Sequence, residues 1–318
     1  MAAHTRWTEA DIPDQTGRTA FVTGANSGLG LRTAEVLASK GAHVLLGCRS
    51  PERGAKALEQ VRAAATGDAP ELVRLDLADL DSVREAAKKV KELSGGKLDL
   101  LVNNAGVMAI PRGHTKDGFE TQFGTNHLGH AVLTWLLMPS LREGTGARVV
   151  TVSSVAATGA RIDVADPNFE RRVYNPAAAY GQSKLSNQVF ALELDRRLRA
   201  AGEGVVSVAA HPGYTRTGLG SGMARSYPNP VVRALVSVGN RIGEVLIAQN
   251  SRKGTLPQLF AATAPEVVGG DYIGPHGLGG LRGDPVKVRA VPAAMSESLG
   301  AALWDVTTKL TGVTPDPA

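Results

Sequence analysis

Short apolar segments alternate with helix-like segments over the first two thirds of this chain. The apolar segments, which read as buried strands, cover residues 18–24, 42–47, 71–76, 98–106, 147–154 and 204–210. The segments with helical periodicity between them cover residues 28–40, 51–65, 79–93, 118–140 and 177–201. Neighbouring parallel strands need a crossover connection, so the alternation predicts a doubly wound α/β fold, a parallel sheet with helices on both faces.

The ligand site of such a fold lies at the carboxyl ends of the strands. The chemically suggestive residues found at those ends are Gly24, Asp76, Asn104, Ser154 and His211. We therefore expect one site along this edge of the sheet. His211 is interpreted as a packing residue ahead of Pro212 rather than as a catalyst.

The stretch TGANSGLG, residues 23–30, follows the first strand and opens the first helix. Gly24, Gly28 and Gly30 let the backbone turn sharply and approach a pyrophosphate, which would sit on the free N–H groups of the helix N-terminus. Ser27 and Leu29 complete the predicted cofactor loop. The G-x-x-x-G-x-G spacing differs from the usual G-x-G-x-x-G, but between a strand and a helix it indicates a Rossmann-type dinucleotide site.

Arg49 follows the second predicted strand, with no acidic residue beside it. An NAD site would place a carboxylate near this point to bind the ribose 2′-hydroxyl. A guanidinium instead pairs with a 2′-phosphate through two hydrogen bonds. We expect NADP(H) to be favoured over NAD(H). The alternative is that Arg49 is a surface residue ahead of the helix at Pro51.

Six motifs in the same order resemble the short-chain dehydrogenase/reductase family over about residues 17–275. They are the loop at 23–30, NNAG at 103–106, FGTNHLGH at 123–130, VTVSS at 150–154, YGQSK at 180–184 and PGYTRT at 212–217. The strings CRSPERG, TNHLGH, YGQSKLSN and HPGYTRTGL are similar to its retinol-dehydrogenase-like branch. The resemblance implies an oxidoreductase that interconverts an alcohol and its ketone or aldehyde.

Four residues form the predicted catalytic set. Tyr180 would be the general acid, or the base in the reverse direction, and the charge of Lys184 on the same helical face would stabilise its phenolate. The resemblance also implies that Lys184 binds the nicotinamide ribose, and that Asn126 binds a water molecule that connects Lys184 to solvent. The family pattern places the substrate-binding serine at Ser154, and Ser153 would point to the opposite face of the strand.

Each of these residues alone also fits a structural role, and their common order favours the catalytic interpretation. Other cofactor contacts are implied by the resemblance only. Asp76 and Leu77 would contact the adenine, and Asn104, Ala105 and Gly106 would pass under the adenosine ribose. The residues that would meet the carboxamide and the phosphates are Pro212, Gly213, Thr215 and Thr217. No pattern indicates metal ligands.

Three segments stand outside the alternation. Residues 155–179, 25 in number, form a longer connection than many family members have and would border the substrate mouth. Residues 218–254 are interpreted as a helical lid, with a surface hairpin as the alternative, and the apolar content at 231–248 favours a lipophilic or bulky substrate. Residues 276–318 form a tail with a final helix at 291–313. We assign all of residues 1–318 to a single domain.

Composition and charge exclude several functional classes. The chain has 35 basic and 30 acidic residues, a net charge of +5, and its basic residues are scattered among acids rather than gathered on a nucleic-acid face. No run of 18 apolar residues and no signal-peptide pattern occur, so we expect no membrane span and a cytoplasmic location. The single cysteine, Cys48, leaves no internal disulfide and is interpreted as packing.

We therefore expect an NADP(H)-dependent oxidoreductase acting on a small-molecule alcohol or carbonyl compound, without a nucleic-acid partner. By analogy with the family, it would form a homodimer or homotetramer through the helices at 118–140 and 177–201. The alternative is a non-catalytic NADP-binding redox sensor or scaffold protein. Such proteins usually lose the tyrosine or the lysine, and this chain keeps both.

Overall fold

The computed structural model, which describes residues 6–215 and 249–318, contains one eight-stranded sheet with the order β3-β2-β1-β4-β5-β6-β7-β8. The strands are β1 (Thr19–Thr23), β2 (His43–Cys48), β3 (Glu71–Arg74), β4 (Leu100–Asn103), β5 (Arg148–Val152), β6 (Val206–Ala210), β7 (Tyr272–Gly277) and β8 (Arg282–Lys287). Strands β1 to β7 pair in parallel, and β8 is antiparallel to β7. The doubly wound α/β prediction is confirmed, and β8 makes the sheet mixed.

Helices cover both faces of the sheet. The described helices are α1 (Gly28–Ser39), α2 (Pro51–Ala64), α3 (Leu80–Leu93), α4 (Thr121–Phe123), α5 (Gly129–Arg142), α6 (Pro176–Ala200), α7 (Ser251–Thr263) and α8 (Glu297–Thr311). A π-helical segment, Gly124–Leu128, joins α4 to α5. In β1, Phe21 packs into the core under α3, α5, α6 and α8, while Ala20 and Val22 pack under α1, α2 and α7. Strands buried on both faces explain the continuous apolar runs of the sequence.

The register brings the strand ends to one edge. Thr23 pairs with Gly47, Asn103 pairs with Thr151, and Val152 pairs with Ala210. The loops that follow these strands therefore leave the sheet side by side. The strand order changes direction between β1 and β4, which is where a doubly wound sheet opens a crevice for a ligand.

The C-terminal part of the fold departs from the prediction. Residues 251–254, which we had placed in the lid, begin α7, a helix that packs against α1 and the sheet. The rest of the predicted lid from residue 218 to 248 lies outside the described residues. The predicted boundary at residue 275 falls inside β7, and β8 extends the sheet. These elements were not predicted because α7 contains Gly254 and Pro257, which disfavour helix, and because β7 and β8 both contain glycine and proline.

The final helix, predicted at 291–313 and found as α8, lies against α5 and α6. The Trp304 indole stacks on Phe190 at 5.6 Å between ring centroids and meets the edge of Trp135 at 5.1 Å. The Thr307 hydroxyl lies 2.9 Å from Nε2 of His127. Within residues 6–215 and 249–318, no helix combines the length and the apolarity that a membrane span requires.

Candidate active site

A cleft of about 780 Å³ runs along the carboxyl ends of the strands. Its walls come from the loops after β1 to β6 and from the first turns of α6. Of the predicted site residues in the described part of the chain, Asn126 alone does not line this cleft, and Thr217 lies outside the described residues. The cleft therefore brings together residues that are up to 191 positions apart in the sequence, from Gly24 to Thr215.

The glycine loop after β1 needs its glycines for two different reasons. Gly24 and Gly28 have φ angles of +68° and +57°, which other residues rarely adopt. At Gly30 a Cβ atom would lie 2.4 Å from the carbonyl oxygen of Gly24 and 2.5 Å from Nδ2 of Asn104. At Gly28, which lines the cleft, a Cβ atom would meet no protein atom within 4 Å. The space beside Gly28 is thus left open to a ligand.

The N-terminus of α1 has no side-chain cap. Its N-cap residue, Ser27, makes no capping hydrogen bond, and the first turn contains no acidic residue. In contrast, α2, α3 and α6 are capped by Ser50, Asp79 and Asn175. The first N–H groups of α1 therefore remain available to an anion, and the helix dipole favours one there. This arrangement fits the pyrophosphate of a dinucleotide.

Two guanidinium groups line the cleft beyond β2. Arg49 follows the strand and Arg53 lies in the first turn of α2, whose Ser50 hydroxyl accepts a hydrogen bond from the Arg53 N–H at 3.4 Å. Within the described residues neither guanidinium pairs with a carboxylate. Arg53 was not predicted as a site residue, although its position four residues after Arg49 in CRSPERG is a usable signal. Together they form a positive end of the cleft suited to a phosphate.

The predicted acid and its serine come from adjacent elements. Tyr180 lies in the second turn of α6 and Ser154 follows β5, so both face the cleft. Burial raises the pKa of Tyr180 above its ordinary value of 10, and a hydrogen bond with the Ser154 side chain opposes this shift. We had predicted a pKa lowered by Lys184. In the structure desolvation outweighs any effect of that charge, and a raised pKa keeps the phenol protonated.

Lys184 lies one turn further along α6 and is 5% exposed. Its Nζ donates a hydrogen bond of 3.0 Å to the carbonyl of Val152, and burial lowers its pKa to about 8. Among the described residues no carboxylate pairs with Lys184. The ammonium group therefore presents an uncompensated positive charge to the cleft.

The two serines after β5 point in different directions, as the alternation of a strand predicts. The Ser153 hydroxyl is buried and donates a hydrogen bond of 2.7 Å to the carbonyl of Lys184. The Ser154 hydroxyl faces Tyr180 and accepts a hydrogen bond of 3.2 Å from the N–H of Ala156. Ser154 alone is thus placed to meet a substrate oxygen beside the Tyr180 hydroxyl.

Asn126 lies in the π-helical segment behind the cleft and is fully buried. Its side chain accepts a hydrogen bond from the N–H of Val107 and donates to the Val107 carbonyl and the Ser183 hydroxyl, at distances of 2.8 to 2.9 Å. A Cβ atom on Gly106 would lie 3.1 Å from Asn126 Oδ1 and 3.5 Å from Lys184 Nζ. Both amide hydrogens of Asn126 are used, so one lone pair on Oδ1 remains for the predicted water.

The loop after β4 packs directly under the glycine loop. Asn104 donates a hydrogen bond of 2.7 Å from Nδ2 to the carbonyl of Thr23, and a Cβ atom on Gly24 would lie 3.0 Å from the Cβ of Ala105. Asp76 lines the cleft while accepting a hydrogen bond of 3.0 Å from the N–H of Ala78, and Leu77 beside it is buried. The small residues Ala105 and Gly106 thus line the part of the cleft where the adenosine ribose is predicted to bind.

Contacts between side chains and backbone fix the conformation of the loop after β6. Thr215 donates its hydroxyl to the carbonyl of Pro212 at 2.9 Å, and Gly213 has a φ of +66° with no room for a Cβ beside the carbonyl of Leu281. His211 is buried against Tyr272, and burial lowers its pKa to about 4. Cys48 is buried too, and its pKa is raised to about 11, so the thiol is unreactive.

Several lining residues of the cleft, most of them apolar, were not predicted from the sequence. They include Val107, Met108, Val155, Ala156, Ala177 and Tyr214. Three of these belong to the 155–179 connection, which borders the cleft. Tyr174 anchors that connection: its hydroxyl donates to the carbonyl of Ile110 at 3.0 Å and accepts from Gln122 at 2.9 Å. The 155–179 connection is therefore joined to α4 by the hydrogen bond between Tyr174 and Gln122.

Comparisons with known proteins show the family to which the chain is similar. The family model described as short chain dehydrogenase matches residues 18–227. Human retinol dehydrogenase 13 is 37% identical over 310 residues, which cover 96% of this chain and 87% of the relative. Mouse polyprenol dehydrogenase is 40% identical over 307 residues, covering 95% and 86%. A crystal structure of an uncharacterized protein from Mycobacterium paratuberculosis has a TM-score of 0.79 and 39% identity, and covers 97% of this chain and 98% of its own.

Proposed function

This chain belongs to the short-chain dehydrogenase/reductase family, in its retinol-dehydrogenase-like branch, and on that premise we propose that it is an NADP(H)-dependent oxidoreductase that interconverts an alcohol and its ketone or aldehyde. The observation that carries the proposal is the meeting of Tyr180, Ser154 and Lys184 at one end of a cleft whose other end has an uncapped helix N-terminus and two guanidinium groups that pair with no carboxylate of the described residues.

Each of the three catalytic residues has a separate role in the reaction. When bound in the cleft, a nicotinamide cofactor would supply the hydride for the carbonyl carbon, or accept it in the reverse direction. Tyr180 donates its phenolic proton to the substrate oxygen. Its raised pKa keeps that proton on the phenol before the reaction. Ser154 donates a hydrogen bond to the same oxygen as negative charge develops there. Lys184 holds a positive charge behind Tyr180 when the phenolate forms.

NADP(H) is favoured by the charges at the adenosine end. Arg49 and Arg53 offer two guanidinium groups, and no acidic residue is adjacent to Arg49 in the sequence. A 2′-phosphate can pair with either guanidinium, whereas a 2′-hydroxyl would leave both without a charged partner. The glycine loop and the free N–H groups of α1 would hold the pyrophosphate equally in NAD(H) and NADP(H), so they carry no preference.

A lipophilic substrate is favoured by the walls beside Tyr180. Met108, Val155 and Ala177 line this part of the cleft. The relatives named for retinol and polyprenol suggest an apolar alcohol for this chain as well. The cytoplasmic location stays a prediction from the sequence.

Pairing through α5 and α6, expected by analogy, meets an obstacle in this fold. Trp304 of α8 covers Trp135 and Phe190, the large apolar side chains that α5 and α6 direct outward at this point. We propose that α8 closes this face to a second copy of the chain. A homodimer or homotetramer would then have to form through another surface.

Cofactor binding and turnover of the purified protein test the proposal. NADPH and NADH are titrated by nicotinamide fluorescence, and a panel of apolar aldehydes and ketones is followed by loss of nicotinamide absorbance. We expect tighter binding of NADPH, and a loss of about 10²- to 10⁴-fold in kcat for Tyr180→Phe with an unchanged Kd for NADPH. Arg49→Glu should weaken NADPH binding and leave NADH binding unweakened.

The alternative, a non-catalytic NADP-binding sensor, predicts a different outcome. It predicts tight NADPH binding without turnover in either direction across the panel of carbonyls and the matching alcohols. Equal affinity for NADH and NADPH, unchanged in Arg49→Glu, would contradict the assignment of NADP(H).

A further inference from the structure

A buried histidine of α5 links two loops of the site. His130 is 1% exposed and lies between the end of β1 and the π-helical segment. Its Nε2 is 2.9 Å from Oγ1 of Thr23, and its Nδ1 is 2.9 Å from the backbone carbonyl of Asn126. Thr23 directly precedes the glycine loop, and Asn126 lies behind Lys184.

The partners of His130 determine where its proton sits. A backbone carbonyl can only accept a hydrogen bond, so the proton must be on Nδ1, where it is donated to the Asn126 oxygen. With the proton on Nε2 instead, two acceptors would face each other at 2.9 Å. In the neutral ring Nε2 then carries the lone pair and must accept from Thr23.

The polar neighbours of Thr23 agree with this assignment. Its Oγ1 accepts hydrogen bonds from the N–H groups of Asn104 at 2.9 Å and Ala105 at 3.0 Å, which use both lone pairs. Its one hydrogen can go to Nε2 of His130 at 2.9 Å or to the carbonyl of Val102 at 3.3 Å. The shorter contact completes the network with every atom in its proper role.

The same network continues to the catalytic helix. The Asn126 side chain joins Val107, in the loop after β4, to the Ser183 hydroxyl. Ser183 is the residue before Lys184 in α6. Hydrogen bonds thus run without interruption from the end of β1 to the turn of α6 that carries Lys184.

We propose that His130 is a positioning residue: as a neutral imidazole protonated on Nδ1, it fixes the end of β1 and the loop after β4 against the π-helical segment that supports Lys184. The proposal rests on the proposed function, since the end of β1 precedes the cofactor loop and the π-helical segment supports the catalytic helix. Small misplacement of reacting groups is costly in rate, which is why such a link matters.

A charged His130 would not fit this network. Both ring nitrogens would then be donors, and Thr23 Oγ1 would face three donors with two lone pairs. Burial lowers the pKa of His130 to about 4, and the charge of Lys184 acts in the same direction. At neutral pH the ring is therefore neutral, as the network requires.

The tautomer can be measured directly. Long-range ¹H–¹⁵N correlation spectra of the full chain labelled with ¹⁵N-histidine, with His130→Gln to identify the signal, should show His130 at pH 7 as neutral and protonated on Nδ1. A ring protonated on Nε2, or on both nitrogens, would overturn the proposal. This measurement needs neither substrate nor cofactor, so it stands even where no turnover is found.

Two variants of His130 test its hydrogen bonds to Thr23 and to Asn126 separately. His130→Asn places an amide donor near the Nδ1 position and keeps the bond to Asn126, so the Kd of NADPH should rise about two- to tenfold while kcat stays close to wild type. His130→Gln places an amide oxygen near the Nε2 position and keeps the bond to Thr23, so kcat should fall by a similar factor with little change in Kd.

His127 provides the matched control. It lies three residues earlier, is equally buried, and its Nε2 bonds to Thr307 of α8 instead of the site. His127→Asn, or Thr307→Val as a second form of the same change, should lower Tm without altering Kd or kcat. If the His130 variants behave in the same way, His130 is merely structural and the proposal fails. Absence of turnover in the wild type would count against the proposed function alone, because Kd and tautomer remain measurable.

Discussion

The ammonium group of Lys184 donates a hydrogen bond of 3.0 Å to the backbone carbonyl of Val152, two residues before Ser154. The same carbonyl also accepts a hydrogen bond of 3.1 Å from Nδ2 of Asn187. A buried cation is thus held at the end of β5 by a neutral acceptor that has a second donor. Function explains this charge better than stability does, because a buried charge without a counter-ion costs free energy.

Lys184→Met should therefore stabilise the protein while abolishing turnover. Burial lowers the pKa of Lys184 from 10.5 to about 8, so holding its charge costs at most roughly 3 kcal/mol at pH 7. We expect the free energy of unfolding to rise by about 1 to 3 kcal/mol, since Val152 keeps its bond to Asn187. Urea unfolding of the cofactor-free protein and steady-state turnover measure the two effects.

The pH dependence of this stabilisation has a defined sign. Between pH 8 and pH 10.5 the unfolded chain binds the lysine proton and the folded protein does not, so wild-type stability gains from rising pH in this window. The advantage of Lys184→Met should be constant below pH 8 and disappear by about pH 10.5. A variant less stable than wild type at pH 7 would contradict the assignment of an uncompensated charge.

Alanine substitution of the two serines after β5 should affect different properties, kcat for Ser154 and stability for Ser153. Ser154→Ala removes the hydrogen bond to the substrate oxygen, so kcat should fall about 10²- to 10³-fold with little change in stability. Ser153→Ala removes a buried bond of 2.7 Å to the Lys184 carbonyl, so it should cost about 1 kcal/mol of stability and leave the chemistry nearer to wild type. Equal loss of kcat in both variants would show that Ser154 has no special role.

Gly28→Ala tests the open space at the glycine loop. Both Gly28 and Gly146 have a φ of +57° and no protein atom within 4 Å of an added Cβ, but Gly146 lies in a turn outside the cleft. Each alanine variant should lose about 1 to 2 kcal/mol of stability from the left-handed backbone. Only Gly28→Ala should also raise the Kd of NADPH, by at least about tenfold. Similar Kd values for the two variants would remove the pyrophosphate from this position.

Trp304→Ala tests the cover that α8 provides. Trp304 is 3% exposed and packs on Phe190 and Trp135, so its removal should cost about 3 to 5 kcal/mol. Light scattering after size exclusion should show a larger assembly than that of the wild type, because apolar surface of α5 and α6 becomes exposed. Met295→Ala, at a 45% exposed position just before α8, is the control and should change neither quantity.

Most of the fold followed from the sequence because its signals are local. The six strands β1 to β6 are runs of apolar residues, and the helices between them begin with capping residues such as Ser50 and Asp79. Strands β7 and β8 and helix α7 were not predicted because glycine and proline interrupt their patterns. Their conformation depends on pairing and packing with parts of the chain that are distant in sequence.

The candidate site was predictable to a similar degree. The glycine loop, Arg49, Ser154, Tyr180 and Lys184 stand at strand ends or at a helical spacing that the residues themselves reveal. Arg53 and His130 were in quoted motifs, but their partners were not visible: the contact of His130 with Thr23 spans 107 positions. Spacing along the chain carries no information about such a contact.

The sequence by itself determined which groups reach the edge of the sheet, because the strand period and the glycine loop place them there whatever surrounds them. Only the tertiary structure decided how those groups are charged and held. Burial raises the pKa of Tyr180 where the neighbouring lysine alone predicted a decrease, and the hydrogen-bond partners of His130 favour one tautomer of its ring. Desolvation and long-range hydrogen bonds are properties of the packed fold, and they decide the electrostatics of the site.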